Sequence, residues 1–217
     1  IGINMNHIIA NKVYNGHGLY RDVEIVLPSD TIRLLFRDGV TPSFSKGTAT
    51  QVSETPNVWD LTNNGFLWDY GCANQPDLLK VLGANLVSTE IMFRFFNNCS
   101  ALDEVKNFKS TKVTSMSYLF DGCLSLKKVP ELDYSKNKAF EGMFANCKSL
   151  SSIPPIDTSK ATGPMYYMFK GCTSLTGVPL LDTHNVNNTL EMFKGCVSLK
   201  SVPLLNTTSV TNMGSMF

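Results

Sequence analysis

What this 217-residue chain has little of narrows its function before any motif is found. Only 17% of its residues are charged, against roughly 25% in an average domain, and 19 basic residues nearly balance 18 acidic ones. Neither half is strongly polarised, with seven basic and nine acidic residues up to residue 96 and 12 and nine beyond it. The electrostatic footprint of a nucleic-acid binder is therefore missing. No apolar run reaches the ~18 to 20 residues that a membrane helix needs. The three histidines, His7, His17 and His184, are scattered, and no C-x-x-C pair occurs, which removes the usual zinc and redox motifs. The stretch Asn15-Gly16-His17-Gly18 lacks the Lys-Ser/Thr of a phosphate loop. What remains, at 43% hydrophobic residues, is a chain long enough to bury a real core. It opens on Ile1 and closes on Phe217 just as a pattern restarts, which reads as a chain cut at both ends, with any leader, anchor or partner domain outside it.

That pattern is a repeat. Cysteines fall at 99, 123, 147, 172 and 196, each preceded by three residues by Phe96, Phe120, Phe144, Phe169 and Phe193, so the period is 24 or 25 residues. Leu102, Leu126, Leu150, Leu175 and Leu199 follow the cysteines by three positions, and Val105, Val129, Ile153, Val178 and Val202 by six. From the second unit onward a proline comes next, at 130, 154, 179 and 203, and then Asp133, Asp157, Asp182 or Asn206. Met116, Leu119, Phe120 and Cys123 lie at i, i+3, i+4 and i+7, which predicts a short helix in the first half of each unit. Only Asn or Gly precedes each cysteine, the residue types that end a helix in the left-handed conformation. Thr114, Thr162, Asn187 and Thr211 stand where a side chain could cap the helix start. The L-x-x-V-P run predicts a brief strand ending near Val129 and its equivalents, because proline forfeits a ladder hydrogen bond. The following Asp-Thr or Asp-Tyr predicts a turn closed by the aspartate side chain. Such units bury their apolar stripes only by stacking, as a solenoid whose five coils extend about 25 Å.

The segments MSYLFDGCLSLKKVPELDYS, MFANCKSLSSIPPIDTS and MFKGCTSLTGVPLLDTHNV resemble the short variant of the BspA-type leucine-rich repeats of bacterial surface proteins, over roughly residues 86 to 217. The resemblance implies an α/β leucine-rich-repeat solenoid, with a short helix and a short parallel strand per coil. It also implies exposure outside the cell and a role in adhesion or partner recognition.

Upstream, residues 59–85 read as a degenerate capping repeat. Gly71-Cys72 and the Leu78-Val81 spacing repeat the motif, and Trp59 and Trp68 supply apolar surface to close the end of a stack. Residues 1–58 read as an N-terminal arm and a small β-hairpin cap, with strands over 23–27 and 32–36 and a turn at Asp38-Gly39. Residues 1–20 show no clear period.

The chemistry-bearing columns all have plainer readings. Cysteines a whole coil apart point in parallel, which suits a disulfide dihedral near 90° poorly, and they read as buried thiols packed like small apolar groups. One carboxylate per coil falls short of a calcium site. Asp182 and His184 could be imagined in a triad with a neighbouring serine, but a single replacement in the D-T-S motif explains the histidine as well. Catalytic, cofactor and metal sites are therefore expected to be none. Binding remains, through side chains that vary from coil to coil, and the candidate partner face is Lys127, Lys128, Glu131, Ser152, Pro155, Gly177, Leu180, Ser201 and Leu204. The expected function is a non-enzymatic extracellular or cell-surface interaction and adhesion module, recognising a host or neighbouring-cell protein or glycan. Two alternatives are a phage virion fibre or tail protein that binds a receptor, and targeting repeats of an enzyme whose catalytic domain lies outside this chain.

Overall fold

The computed structural model describes residues 7–9, 12–15, 18–22, 27–44, 48–52, 57–62 and 71–217, with side-chain surroundings from residue 27 onward. Strands β1 (His7–Ile9), β2 (Lys12–Asn15) and β3 (Gly18–Asp22) form an antiparallel sheet in chain order, with a bulge between Val13 and Tyr14. This ordered sheet lies where the sequence shows no period. Of the expected strand over 23–27, residues 23–26 lie outside the described residues, as does Trp68, and Leu27 is buried outside any strand.

A second sheet carries the stack. Strands β4 (Thr31–Phe36), β5 (Thr48–Gln51), β6 (Val58–Thr62) and β7 (Leu78–Asn85) are antiparallel in the order β5-β6-β4-β7. β4 follows the period-two rule, with Ile32, Leu34 and Phe36 buried and Arg33 and Leu35 half-buried. Arg33 meets Asp60, its register partner on β6, through Nε and Nη2, each 2.7 Å from a carboxylate oxygen. β7 then pairs in parallel with β8 (Glu104–Val105) and β9 (Phe108–Lys109), so the antiparallel sheet becomes a coil ladder at this strand.

Each later unit makes one coil, and the coils are not built as the periodicity predicts. Met116, Leu119, Phe120 and Cys123 are all buried, yet no helix forms among the described residues. The hydrogen bonds show why. In the first coil the N–H groups of Phe95, Asn97 and Cys99 reach carbonyls three residues back, at 3.4, 3.0 and 3.1 Å. The intervening N–H groups of Met92, Arg94, Phe96 and Asn98 instead donate to Ser115, Ser117, Leu119 and Asp121 of the next coil, at 3.0, 3.0, 2.9 and 2.7 Å. A helix would spend every N–H inside the segment. Here alternate ones tie coil to coil, and the segment is a run of tight turns. Arg94 (φ 55°) and Asn98 (φ 59°) hold the left-handed third position that a type II turn requires. The Asn or Gly before each cysteine is thus a turn residue rather than a helix stop. A Cβ on Gly171 (φ 72°) would stand 2.7 Å from Asn146 Oδ1 of the preceding coil, so that amide would have to turn aside.

The expected helix caps serve the stack too. Thr114 Oγ1 donates to Glu90 O at 3.1 Å and Thr211 Oγ1 to Asn187 O at 3.0 Å, both in the preceding coil. The aspartate turns form as read, with Asp133, Asp157 and Asp182 accepting from the N–H two residues on at 2.9, 2.9 and 3.1 Å. The expected strand per coil, by contrast, is realised only as β8, in the unit that has no proline. Lys106 N–H donates to Val81 O at 2.9 Å, the bond that Pro130, Pro154, Pro179 and Pro203 cannot make at the same register. Beyond β8 the parallel ladder shrinks to single bridges such as Gly177 with Ser201.

The core runs as columns along the stack. Phe96, Phe120, Phe144, Phe169, Phe193 and Phe217 stack at 5.5, 6.0, 5.8, 5.7 and 5.6 Å between successive centroids. Beside them the thiols of Cys123, Cys147, Cys172 and Cys196 donate to the carbonyls of Phe96, Phe120, Phe144 and Phe169 in the preceding coil, at 3.1, 3.2, 3.0 and 3.0 Å. All six cysteines are free.

Phe144→Ala removes a ring stacked on both sides and is expected to cost about 3 to 5 kcal/mol, read by denaturant unfolding. Burial pushes the thiols up, Cys99 to about 12. Because the folded state favours the protonated thiol, this stability is complete below the ordinary thiol range and is lost as pH rises from about 9 toward 12. The fall in Tm across that window should be shallower in a Cys123→Ala/Cys147→Ala variant than in the parent chain.

Candidate functional site

Two outer surfaces of the coils carry variable side chains. The first follows the segment from each cysteine to the proline and holds the face expected from sequence. Lys127, Lys128, Glu131, Ser152, Pro155 and Ser201 are exposed, Leu180 and Leu204 stand 72% and 93% exposed, and Gly177 is half-buried. A Cβ on Gly177 would meet nothing within 4 Å, so packing does not demand glycine there. Lys127 and Lys128 flank a cleft of about 390 Å³ with Lys80, Asp103, Glu104, Val105 and Val129. Lys80 and Glu104 are register partners on β7 and β8, and their ion pair is 2.9 Å long. Lys106 reaches the same carboxylate at 3.0 Å, while Lys127 lies 3.9 Å from Asp103. The hydrogen bond to Glu104 holds the Lys80 ammonium above its usual range. Burial lifts the Glu104 carboxyl, but Lys80 and Lys106 outweigh it and leave it below the usual carboxylate range. These mutually neutralised charges make a polar cleft.

The second surface was not foreseen. It follows the two positions just ahead of the residue pair that ends in the column phenylalanine, filled by Phe93 and Arg94, Ser117 and Tyr118, Glu141 and Gly142, Tyr166 and Tyr167, and Leu190 and Glu191 in successive coils; Ser117 and Gly142 are buried and the others half-buried. The second of each pair is left-handed, at φ 55° in Arg94, 57° in Tyr118, 53° in Gly142, 62° in Tyr167 and 51° in Glu191. Four of these five are bulky residues in a conformation that costs them roughly 1 to 2 kcal/mol each. At the neighbouring left-handed column, before the cysteines, only Asn and Gly occur. Arg94 lies over the rings of Phe93 and Tyr118, at 5.4 and 4.7 Å, and Lys170 over Tyr167 at 4.5 Å. Tyr166 and Tyr167 meet edge to face at 5.1 Å. The Tyr118 ring fills the space above Gly142, where a Cβ would collide with it. Burial, then a hydrogen bond involving Tyr166, pushes the Tyr118 phenol up.

The imagined triad residues are placed otherwise: His184 Nδ1 lies 2.6 Å from Asp182 Oδ1 and Nε2 lies 2.6 Å from Asn185 Nδ2, while Ser209 Oγ donates to the backbone carbonyl of His184 at 2.7 Å. No cluster of metal-ligating residues and no helix long and apolar enough to cross a membrane occurs among the described residues. An open apolar hollow of about 490 Å³ is lined by Phe193, Cys196, Leu199, Val202 and Phe217. Their equivalents one coil earlier are covered by the next coil, so the hollow is the exposed cross-section of the stack.

Comparison with known proteins follows the repeat. The family described as "Mycoplasma protein of unknown function, DUF285" matches residues 87–201 and 164–217. No curated protein matches. Among solved structures, the chain is similar to a leucine-rich-repeat protein of T. pallidum, at 18% identity and a TM-score of 0.49 over 64% of this chain and 62% of that one. It is also similar to a leucine-rich-repeat protein of Bacteroides ovatus ATCC 8483, at 17% identity and a TM-score of 0.37 over 80% of this chain and 54% of that one. The chain thus spans somewhat more than half the length of each.

The two left-handed columns should respond in opposite ways to substitution. Tyr167→Gly relieves backbone strain and loses ring contacts of similar size, so unfolding free energy should change by less than about 1 kcal/mol. Gly171→Ala adds strain and displaces the Asn146 amide and should cost about 1 to 2 kcal/mol, measured in the same denaturant titration.

Proposed function

The chain belongs to the DUF285 family, and from that membership and the division between constant core and variable surface we propose that it is a non-enzymatic interaction module of the BspA-like leucine-rich-repeat type. It acts outside the cell or at the cell surface, where it binds a protein or glycan of a host or neighbouring cell. The observation that carries this reading is where the repeat is constant. The Phe and Leu columns and the thiols point into the stack, most of them fully buried, and give the coils one shape. On the segment after each cysteine the positions that differ, Lys128, Glu131, Ser152, Pro155, Leu180 and Leu204 among them, stand in solvent. A rigid stack that varies only on its outside is suited to recognition by surface complementarity. The polar cleft beside Lys127 and Lys128 adds a charged rim to exposed Leu180 and Leu204, a mixture common at protein interfaces.

The labelled chain should bind intact cells, or immobilised extracellular proteins and glycans, saturably. A Lys128→Ala/Glu131→Ala/Ser152→Ala variant should keep its Tm and bind at least tenfold more weakly. Saturable binding that the triple variant leaves intact moves the contact off this surface, and the absence of binding to any such target overturns the reading.

A further inference from the structure

We infer that the turn-side surface is a second recognition site, centred on Arg94 and Tyr118, and that it takes a carboxylate-bearing polypeptide segment. This deepens the interaction reading above and rests on it. Three observations converge on the site. First, Arg94 is held without being neutralised. Its guanidinium lies against two rings, at 5.4 Å from Phe93 and 4.7 Å from Tyr118, and it has no ion pair or side-chain hydrogen bond among the described residues. Its Nε is buried with no partner. Rings that hold a guanidinium in place lower the cost of ordering it against a carboxylate.

Second, the acidic groups of the same surface are already committed. Glu141 accepts from the Ser117 hydroxyl, and Glu191 is shared by Lys170 and Lys194 at 2.7 and 2.8 Å. Among the described residues no carboxylate pairs with Arg94, so the unmet charge there is positive and fits an acidic partner. Third, the side chains are kept at a cost. Arg94, Tyr118 and Tyr167 occupy left-handed positions, at φ 55°, 57° and 62°, a conformation that bulky residues rarely adopt. Such strain points to a role for the side chain itself. Arg and Tyr are also the residue types that dominate binding energy at protein interfaces. Sugar stacking is the less favoured chemistry, because the faces of Tyr118 and Tyr167 are partly taken by Arg94 and Lys170.

The probe is a fluorescein-labelled, Glu-rich decapeptide, with Lys-rich and Ser-Gly decapeptides as comparisons, followed by anisotropy on the full chain in about 150 mM salt. The acidic peptide should bind at least tenfold more tightly than either comparison. Arg94→Ala should weaken it at least tenfold, Arg94→Lys by an intermediate factor because charge survives and the fork does not, and the Lys128→Ala/Glu131→Ala/Ser152→Ala variant by less than twofold. Circular dichroism melts establish that each variant is folded. Equal binding of all three peptides, or an Arg94→Ala variant within twofold of the parent, overturns the inference. If Arg94→Ala is silent while cell binding persists, the turn-side site falls and the interaction reading stands; if cell binding is absent as well, both fall.

Discussion

One carbonyl group per coil holds the stack in register. The oxygen of Phe120 accepts the N–H of Cys123 in its own coil at 3.0 Å and the thiol of Cys147 in the next at 3.2 Å. The oxygens of Phe96, Phe144 and Phe169 do the same. Both lone pairs are thereby used inside a core that excludes water, where an unmet acceptor would be costly. The sulfur must stand over the preceding carbonyl, the rings then stack, and the alternate N–H groups of the turn segment face the carbonyls of the next coil. Serine offers a shorter, more polar donor and alanine none, which gives a physical reason for cysteine in the four units from Cys123 to Cys196; the Cys99 thiol donates instead to Cys72 O at 2.9 Å.

This constraint separates what the sequence displays from what it conceals. The Phe, Cys and Leu columns are legible because a buried column repeats its residue type whatever the backbone does between repeats. The helix is misread because tight turns advancing four residues per pair bury the same i, i+3, i+4 and i+7 set as a helix. Arg94, Tyr118, Tyr167 and Glu191 carry no left-handed signal in their residue types, so the turn-side surface is hidden along with the turns that present it. Gly or Asn before each cysteine is the visible half of that geometry, and it yields the right φ with the wrong element attached. Strands β1 to β3 escape notice because short strands without a clear alternation leave little pattern, although Asn15-Gly16 is a hairpin signal and Asn15 pairs with Gly18. Of the face chosen for its variability, every residue but half-buried Gly177 stands exposed.

The change from β8 to isolated bridges shows one residue type setting the extent of a sheet. Where Lys106 supplies an N–H, two parallel strands form, whereas where proline follows the β-branched residue the ladder is cut after single bonds. The proline coils are held mainly from their turn side, by several hydrogen bonds per coil, while the segment after the cysteine is left to display side chains. That asymmetry gives the turn side the hydrogen bonds that fix its backbone from coil to coil. It leaves the other side as the surface on which changes of residue meet little resistance from packing.

The thiol ladder also gives the stack a chemical memory. While the coils are closed, each sulfur is a buried donor with its thiolate suppressed, and oxidants, which attack thiolates, find little to react with. Cys196 is half-buried, and burial raises its thiol too. A sulfur that carries oxygen or a disulfide-linked adduct can no longer donate to the carbonyl of the preceding coil. A coil oxidised while it is open has thus lost the bond that seats it, and the ladder keeps a record of each opening that an oxidant catches.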